Sequence, residues 1–280
     1  MTGSGVDPAA VKACCAAAYG HDAVALLLGE SYHPGGLALT RRLADQLRLR
    51  RGHRVADVAC GPGTTARLLA AEYGVGVDGV DLNPSTVDTP GVRIHSGDAE
   101  RIPLPSEAFD AVVCECAFCM FPDKQAAAAE FARLLRPGCR LGFTDVTVTG
   151  CLPLELTGLA GRIACIADAR PVSAYEQLLS RAGLRVIHRE SHHAAITRMI
   201  DQIEARLTVL RIAGTDSLAA ARLDPPAVAR YLDLTRRAVA DGVIGYALLV
   251  AEKPSRRSVP SSWSDVSARS TRSRRRTCSS

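Results

Sequence analysis

The sequence predicts an α/β fold: a seven-stranded, mostly parallel sheet with helices on both faces. Three observations carry that reading. Short β-type runs alternate with helical ones through the middle of the chain. A glycine-rich turn at Asp57–Gly63 joins the first run to a helix. An acid, Asp81, closes the next run 20 residues after Gly61.

The composition is globular, with 280 residues of which 47% are apolar and 22% charged. No apolar run approaches the ~18 residues that span a bilayer. The first ten residues lack a basic stretch leading into an apolar one, so the expected compartment is the cytosol, with no membrane partner. The net charge is +5, but residues 253–280 hold eight basic residues and one acid, leaving −2 on the rest. A nearly neutral body gives no argument for nucleic acid as a partner. The Ser/Arg-rich tail reads as disordered. The domain reading is therefore a folded body over residues 1–252 and a basic tail over 253–280.

Arg54–Ala59 reads as the first strand and Thr64–Glu72 as the helix after it. Gly76–Leu82, Val92–Ser96 and Phe109–Cys116 read as the next three strands. Asp123–Arg136 reads as a helix capped by Asp123 and stopped by Pro137-Gly138. Arg140–Thr147 is the fifth strand, Val172–Ala182 a helix ended by Gly183, Leu184–Glu190 the sixth strand and Gly242–Glu252 the last. An N-terminal helical cap (8–49) contains helices over Pro8–Leu28 and Leu37–Leu49. A helical insertion (about 194–240) precedes the last strand, with amphipathic helices over Arg198–Arg211 and Ala227–Val239. If the sixth strand is parallel to the others, that insertion leaves the carboxyl edge of the sheet, where open α/β sheets bind ligands.

Gly61 and Gly63 let the backbone turn tightly and approach a ligand. An acid at the end of the second strand accepts hydrogen bonds from ribose hydroxyls. A dinucleotide fingerprint requires G-x-G-x-x-G. Here the pattern is Asp57-x-Ala59-x-Gly61-x-Gly63 followed by Thr64-Thr65-Ala66, without the third glycine. The acid before the loop suits a cationic or amine-bearing ligand better than a diphosphate.

The ordered motifs resemble those of class I S-adenosylmethionine-dependent methyltransferases, which have a Rossmann-like fold. Asp57-x-Ala59-x-Gly61-x-Gly63 is similar to their first motif, with Ala59 in place of the commonest first glycine. Asp81-Leu82-Asn83 resembles the ribose-binding segment. Gly97-Asp98-Ala99-Glu100, followed by Ile102-Pro103-Leu104-Pro105, resembles the adenine-contacting loop. Phe109–Val113 resembles the fourth strand and Leu135-Arg136-Pro137-Gly138 the turn before the fifth. The resemblance spans roughly residues 37–190 and the last strand. It implies S-adenosylmethionine as the cofactor. Asp81 would then bind ribose, Asp98 the adenine amine, and the Gly61/Gly63 backbone the methionine portion. Asp57, Ala59, Leu82, Ala99 and Glu115 complete the implied cofactor set.

The chain has ten cysteines, a high count, and the ordinary fate of free cysteine is to be a small buried hydrophobe. Cys116-x-x-Cys119 is one pair of zinc-ligand spacing with no second pair to match it. Alternation along the fourth strand puts Cys114 and Cys116 on one face. The stretch Cys116–Lys124 resembles the post-strand segment of arsenite methyltransferases, where a cysteine binds trivalent arsenic. Ala164–Ala169, with Tyr175 and Ala182-Gly183, resembles their second arsenic-binding segment. The resemblance implies Cys116 and Cys165 as thiolate ligands to arsenite, with Cys119 a candidate third, and a thiol reductant such as thioredoxin or glutathione as partner. Thiolates hold the thiophilic arsenic and leave its lone pair free; no proton has to be removed, so placement is the enzyme's contribution. Two departures stand out. No cysteine occupies the expected place before the first motif, where Tyr32–Gly36 stands instead; Cys14, Cys15, Cys60 and Cys119 are possible substitutes. The long insertion is also foreign to that family.

Two other readings use the same residues. One is methyl transfer to oxygen, nitrogen or carbon of a small organic acceptor. The other is a non-enzymatic thiol- or metal-binding protein on the same fold. Among further residues, His188, His192 and His193 read as surface or capping histidines. Cys139 and Cys151 read as packing or exposed thiols. His33, before the first strand, is a candidate for substrate contact, and Asp168 is a candidate helix cap or site residue.

Overall fold

A computed structural model describes residues 7–213 and 224–255. Its sheet has seven strands: β1 (Arg54–Val58), β2 (Gly76–Asp81), β3 (Val92–Ser96), β4 (Phe109–Glu115), β5 (Leu135–Val148), β6 (Arg185–Ser191) and β7 (Ile244–Glu252). Their spatial order is β3-β2-β1-β4-β5-β7-β6. Only β7 runs against its neighbours, pairing antiparallel with β5 and β6, so β6 is parallel to the other five. The chain steps from β1 to β2 on one side and later to β4 on the other. That reversal opens a crevice at the carboxyl ends of β1, β2 and β4.

Nine helices are described: α1 (Pro8–Tyr19), α2 (Asp22–Leu28), α3 (Gly36–Leu47), α4 (Thr64–Tyr73), α5 (Lys124–Leu134), α6 (Leu159–Ile163), α7 (Val172–Arg181), α8 (His193–Ala213) and α9 (Pro225–Ala240). One face of the sheet is covered by α3, α4, α8 and α9, through side chains such as Leu43, Leu69, Ile200 and Leu232 against Val55, Val77 and Leu248. The other is covered by α5 and α7. Phe118 sits edge-on to Phe131 and Phe143 there, and Tyr175 packs on both Phe118 and Phe143. Both faces of the central strands are thus dry, as a parallel sheet requires.

The structure corrects three boundaries. The segment 8–28 is two helices, broken at Gly20-His21. A Cβ on Gly20 would lie 2.5 Å from the Asn83 amide nitrogen, so the break is a close approach to the loop after β2. Strand β4 ends at Glu115, and Cys116 turns into the left-handed region (φ +53°), so it does not share a strand face with Cys114. Helix α5 ends at Leu134, before Pro137-Gly138, because Leu135 already pairs with Phe109 in the sheet. The expected cap holds: the Asp123 carboxylate accepts the Ala126 N–H at 2.9 Å. Helix α6 was not anticipated. The tail beyond Ser255 lies outside the described residues, as does Cys278.

Candidate active site

The crevice contains a cavity of about 340 Å³, the size of a small-molecule site. Asp57, Ala59, Gly61, Asp81, Leu82, Asp98, Ala99, Glu115 and Cys116 all line it. Gly63 does not. It is the left-handed residue that starts α4 (φ +74°), and a Cβ there would meet Val87 at 2.6 Å. Ala59 is left-handed too (φ +58°), which accounts for the preference for glycine at that position. Gly61 is left-handed and open: a Cβ there would meet nothing within 4 Å, so a ligand can come down on its backbone.

Three acids surround the cavity floor. The Asp81 carboxylate accepts the Gly61 N–H and the Asn83 N–H, each at 2.9 Å, which fixes its orientation. Glu115 accepts from Thr65 at 2.6 Å and Thr40 at 3.0 Å, and His33 lies 3.4 Å away. Asp57 is buried, and its Oδ2 has no hydrogen-bond partner among the described residues. Burial, then the charges of Glu115 and Asp81, push the Asp57 carboxyl well above its ordinary range. An orphaned carboxyl oxygen beside two more acids fits a ligand with an amine or other cationic group. The charge of the cavity therefore suits S-adenosylmethionine, which carries an amine and a sulfonium.

Sequence reasoning expected a helical cap but missed the contacts that make it the roof of this cavity. Lys12, Cys15, Ala16 and Tyr19 lie on one face of α1 and all border it. The Lys12 ammonium donates to Asp98 at 2.7 Å and also to Glu100. Burial opposes that charge, but the two carboxylates outweigh it and hold the ammonium above its ordinary pKa. One turn beyond Cys15, the Tyr19 hydroxyl donates to the Ile163 carbonyl at 2.7 Å and lies 3.5 Å from the Cys165 sulfur. These contacts link positions 86 and more apart in the chain, which no local pattern signals.

The cysteines of the two singled-out segments converge although 49 residues separate them. The Cys165 thiol donates to the Cys116 carbonyl at 3.1 Å. The thiols of Cys116 and Cys119 hydrogen-bond the Cys165 sulfur, and Tyr19 adds a third contact. Together these outweigh burial and push the Cys165 thiol below its ordinary range. The same contact pushes Cys116 up, and burial pushes Cys119 up. Cys116 and Cys165 are also two of only five non-glycine residues with left-handed backbone among the described residues. Such strain, of order 1–3 kcal/mol per residue, collects at functional sites. Cys116 borders the 340 Å³ cavity; Cys165 borders a second, smaller one; Cys119 is fully buried and borders neither. Among the described residues no set of three or more Cys, His, Asp or Glu side chains forms a metal cage. The sulfurs are thus an open cluster, not a closed site.

The other candidates fall elsewhere. His188 and His192 bracket Glu190 at 2.6 and 3.0 Å, with Arg42 on the same carboxylate. His193 accepts the Tyr246 N–H at 3.1 Å, closing the turn into α8. Asp168 pairs with Arg162. Cys14 and Cys151 are exposed, and Cys60 is buried under the glycine loop.

Residues 56–143 match the family model described as a methyltransferase domain. Residues 56–143 are a methyltransferase domain. The chain is 29% identical over 166 residues to the methyltransferase GfsG of Streptomyces halstedii, covering 54% of this chain and 60% of that one. It is 28% identical over 152 residues to an arsenite methyltransferase of Halobacterium salinarum, covering 49% of this chain and 38% of that one. The chain thus spans about 60% or less of the length of these relatives. The fold resembles phosphoethanolamine N-methyltransferase 2 of Haemonchus contortus, solved with S-adenosylhomocysteine. The TM-score is 0.71 at 20% identity, over 83% of this chain and 56% of that one. No described helix of this methyltransferase domain is long and apolar enough to cross a membrane.

Proposed function

We propose that the chain is a methyltransferase whose acceptor is a thiophilic trivalent centre held by Cys116 and Cys165, arsenite being the simplest. The observation that carries the reading is the convergence of Cys116 and Cys165 from distant segments, the Cys165 thiol meeting the Cys116 carbonyl at 3.1 Å, with both residues held in left-handed backbone. When bound, S-adenosylmethionine supplies an electrophilic methyl group. Asp81 suits its ribose hydroxyls, Asp98 its adenine amine, and Asp57 with the Gly61 backbone its amine-bearing end. The chain's own residues then have three tasks. The acids hold the cationic donor in one orientation. The sulfurs hold the acceptor beside Cys116, where the two cavities meet. The roof of α1 excludes water. No general base is needed for an acceptor that carries a lone pair and loses no proton, so placement supplies the rate. Its turnover would consume thiols, with thioredoxin or glutathione as the reductant. The chemistry of the domain suits a cytoplasmic enzyme.

A second reading, methyl transfer to a small organic acceptor, is favoured by the apolar lining of the smaller cavity. Mass spectrometry of products formed from arsenite and from a panel of hydroxyl, amine and carbon acceptors, with glutathione present, tests both. Methylated arsenic with silent organic acceptors supports the first; the reverse removes it.

A further inference from the structure

The smaller cavity, of about 120 Å³, lies beside Cys116 and Cys165 and under the helices inserted between β6 and β7. It shares Tyr19, Tyr32 and Cys116 with the donor cavity, so the two meet at the sulfurs. Ile196, Ile200 and Ile203 of α8 and Leu232 of α9 make its far wall. Its volume is close to that of an engineered apolar cavity of about 150 Å³ that stays dry and takes up benzene.

One polar group of this lining stands without a partner. Tyr231 borders the cavity, and its hydroxyl is cut off from solvent with no hydrogen-bond partner among the described residues. A buried hydroxyl left unpaired costs roughly 1–3 kcal/mol, and phenylalanine would fill the same space without that cost. The Thr235 hydroxyl on the same lining donates to the Tyr231 carbonyl at 2.8 Å. The phenol is therefore a liability to the fold unless something enters the cavity and accepts its proton.

We infer that this cavity seats an apolar arm of the methyl acceptor, no larger than about a benzene ring, whose far end carries a carbonyl or ether oxygen for Tyr231. The inference rests on the reading of Cys116 and Cys165 as the acceptor site, and it narrows the acceptor from a bare centre to one bearing such an arm. Tyr231 is then a specificity residue: it selects the arm and takes no part in methyl transfer.

Two probes of similar size test it on the full chain by equilibrium binding: cyclohexanone, which has the oxygen, and methylcyclohexane, which lacks it. Tyr231→Phe should weaken cyclohexanone about five- to tenfold, the worth of one buried hydrogen bond, and leave methylcyclohexane within about twofold. Ile200→Trp should fill the cavity and exclude both, while S-adenosylhomocysteine binding, measured in parallel, reports an intact fold. Equal cyclohexanone affinity in wild type and Tyr231→Phe, or no probe binding by wild type, overturns the inference. Arsenite turnover by the same preparations separates the two levels. Probe binding without arsenite methylation keeps the cavity and removes the metalloid; arsenite methylation without probe binding does the opposite.

Discussion

The Cys165 thiol meets the Cys116 carbonyl at 3.1 Å, and both residues hold a left-handed backbone that side chains with a Cβ avoid. The contact joins the tip of β4 to the short segment after α6. It puts sulfur at the junction of a donor-sized cavity and a smaller apolar one.

The strain is measurable. Glycine tolerates left-handed backbone and alanine does not, so Cys165→Gly should be more stable than Cys165→Ala by about 1 kcal/mol, and the same order should hold at Cys116. Urea unfolding of the four variants checks this. Alanine variants as stable as glycine ones would mean that the backbone at these positions is relaxed.

Donor binding depends on Asp81. Asp81→Ala removes both the expected ribose acceptor and the group that orients the Gly61 and Asn83 amides. Calorimetry with S-adenosylhomocysteine should show affinity reduced by roughly 100-fold, the worth of about 2–3 kcal/mol of charged hydrogen bonds. A change under threefold would move the ribose elsewhere.

Lys12 anchors the roof to Asp98 and Glu100. Lys12→Met should loosen α1 and speed donor dissociation, with a Kd increase of about fivefold. Partly buried ion pairs of this kind contribute around 1 kcal/mol after screening. Stopped-flow dissociation rates decide it: an unchanged rate would leave α1 a passive cover.

Asp145 titrates in the folded chain near neutrality. Burial, then the negative charge of Cys165, raise its carboxyl to about 7, against the Cys119 contact that lowers it. The folded state therefore binds a proton that the unfolded chain, with its ordinary carboxyl near 3.8, releases. Stability from this residue is present at low pH and is lost as pH rises from about 4 through about 7. Asp145→Asn should remove that dependence, so the stability gap between variant and wild type should widen in the variant's favour from pH 5 to pH 8. A gap constant with pH would show that Asp145 ionises in the fold at its ordinary value.

The donor half of the site was legible in the sequence because its signals are local. Asp57, Ala59, Gly61 and Asp81 lie on two consecutive strands and the turn between them, and β1–α4–β2 places them together by topology alone. Cys116 and Cys165 were found through their segments, but strict alternation misassigned Cys116 to the face of Cys114, since nothing in the spacing marks a left-handed residue. The contacts of the roof were not legible: Lys12 reaches Asp98 across the fold, and Tyr19 reaches Cys165 from a helix that reads only as apolar. Tyr231 was hidden differently, as one aromatic on an amphipathic helix, where spacing does not say which aromatic lacks a hydrogen-bond partner.

The most direct test of the sulfur site is X-ray absorption at the arsenic edge, on the chain loaded with arsenite. Wild type should show arsenic bound by at least two sulfurs, and Cys116→Ser/Cys165→Ser should show an oxygen shell in their place while S-adenosylhomocysteine still binds. An identical sulfur shell in both proteins, or an all-oxygen shell in wild type, would contradict the assignment of these residues as the acceptor's ligands.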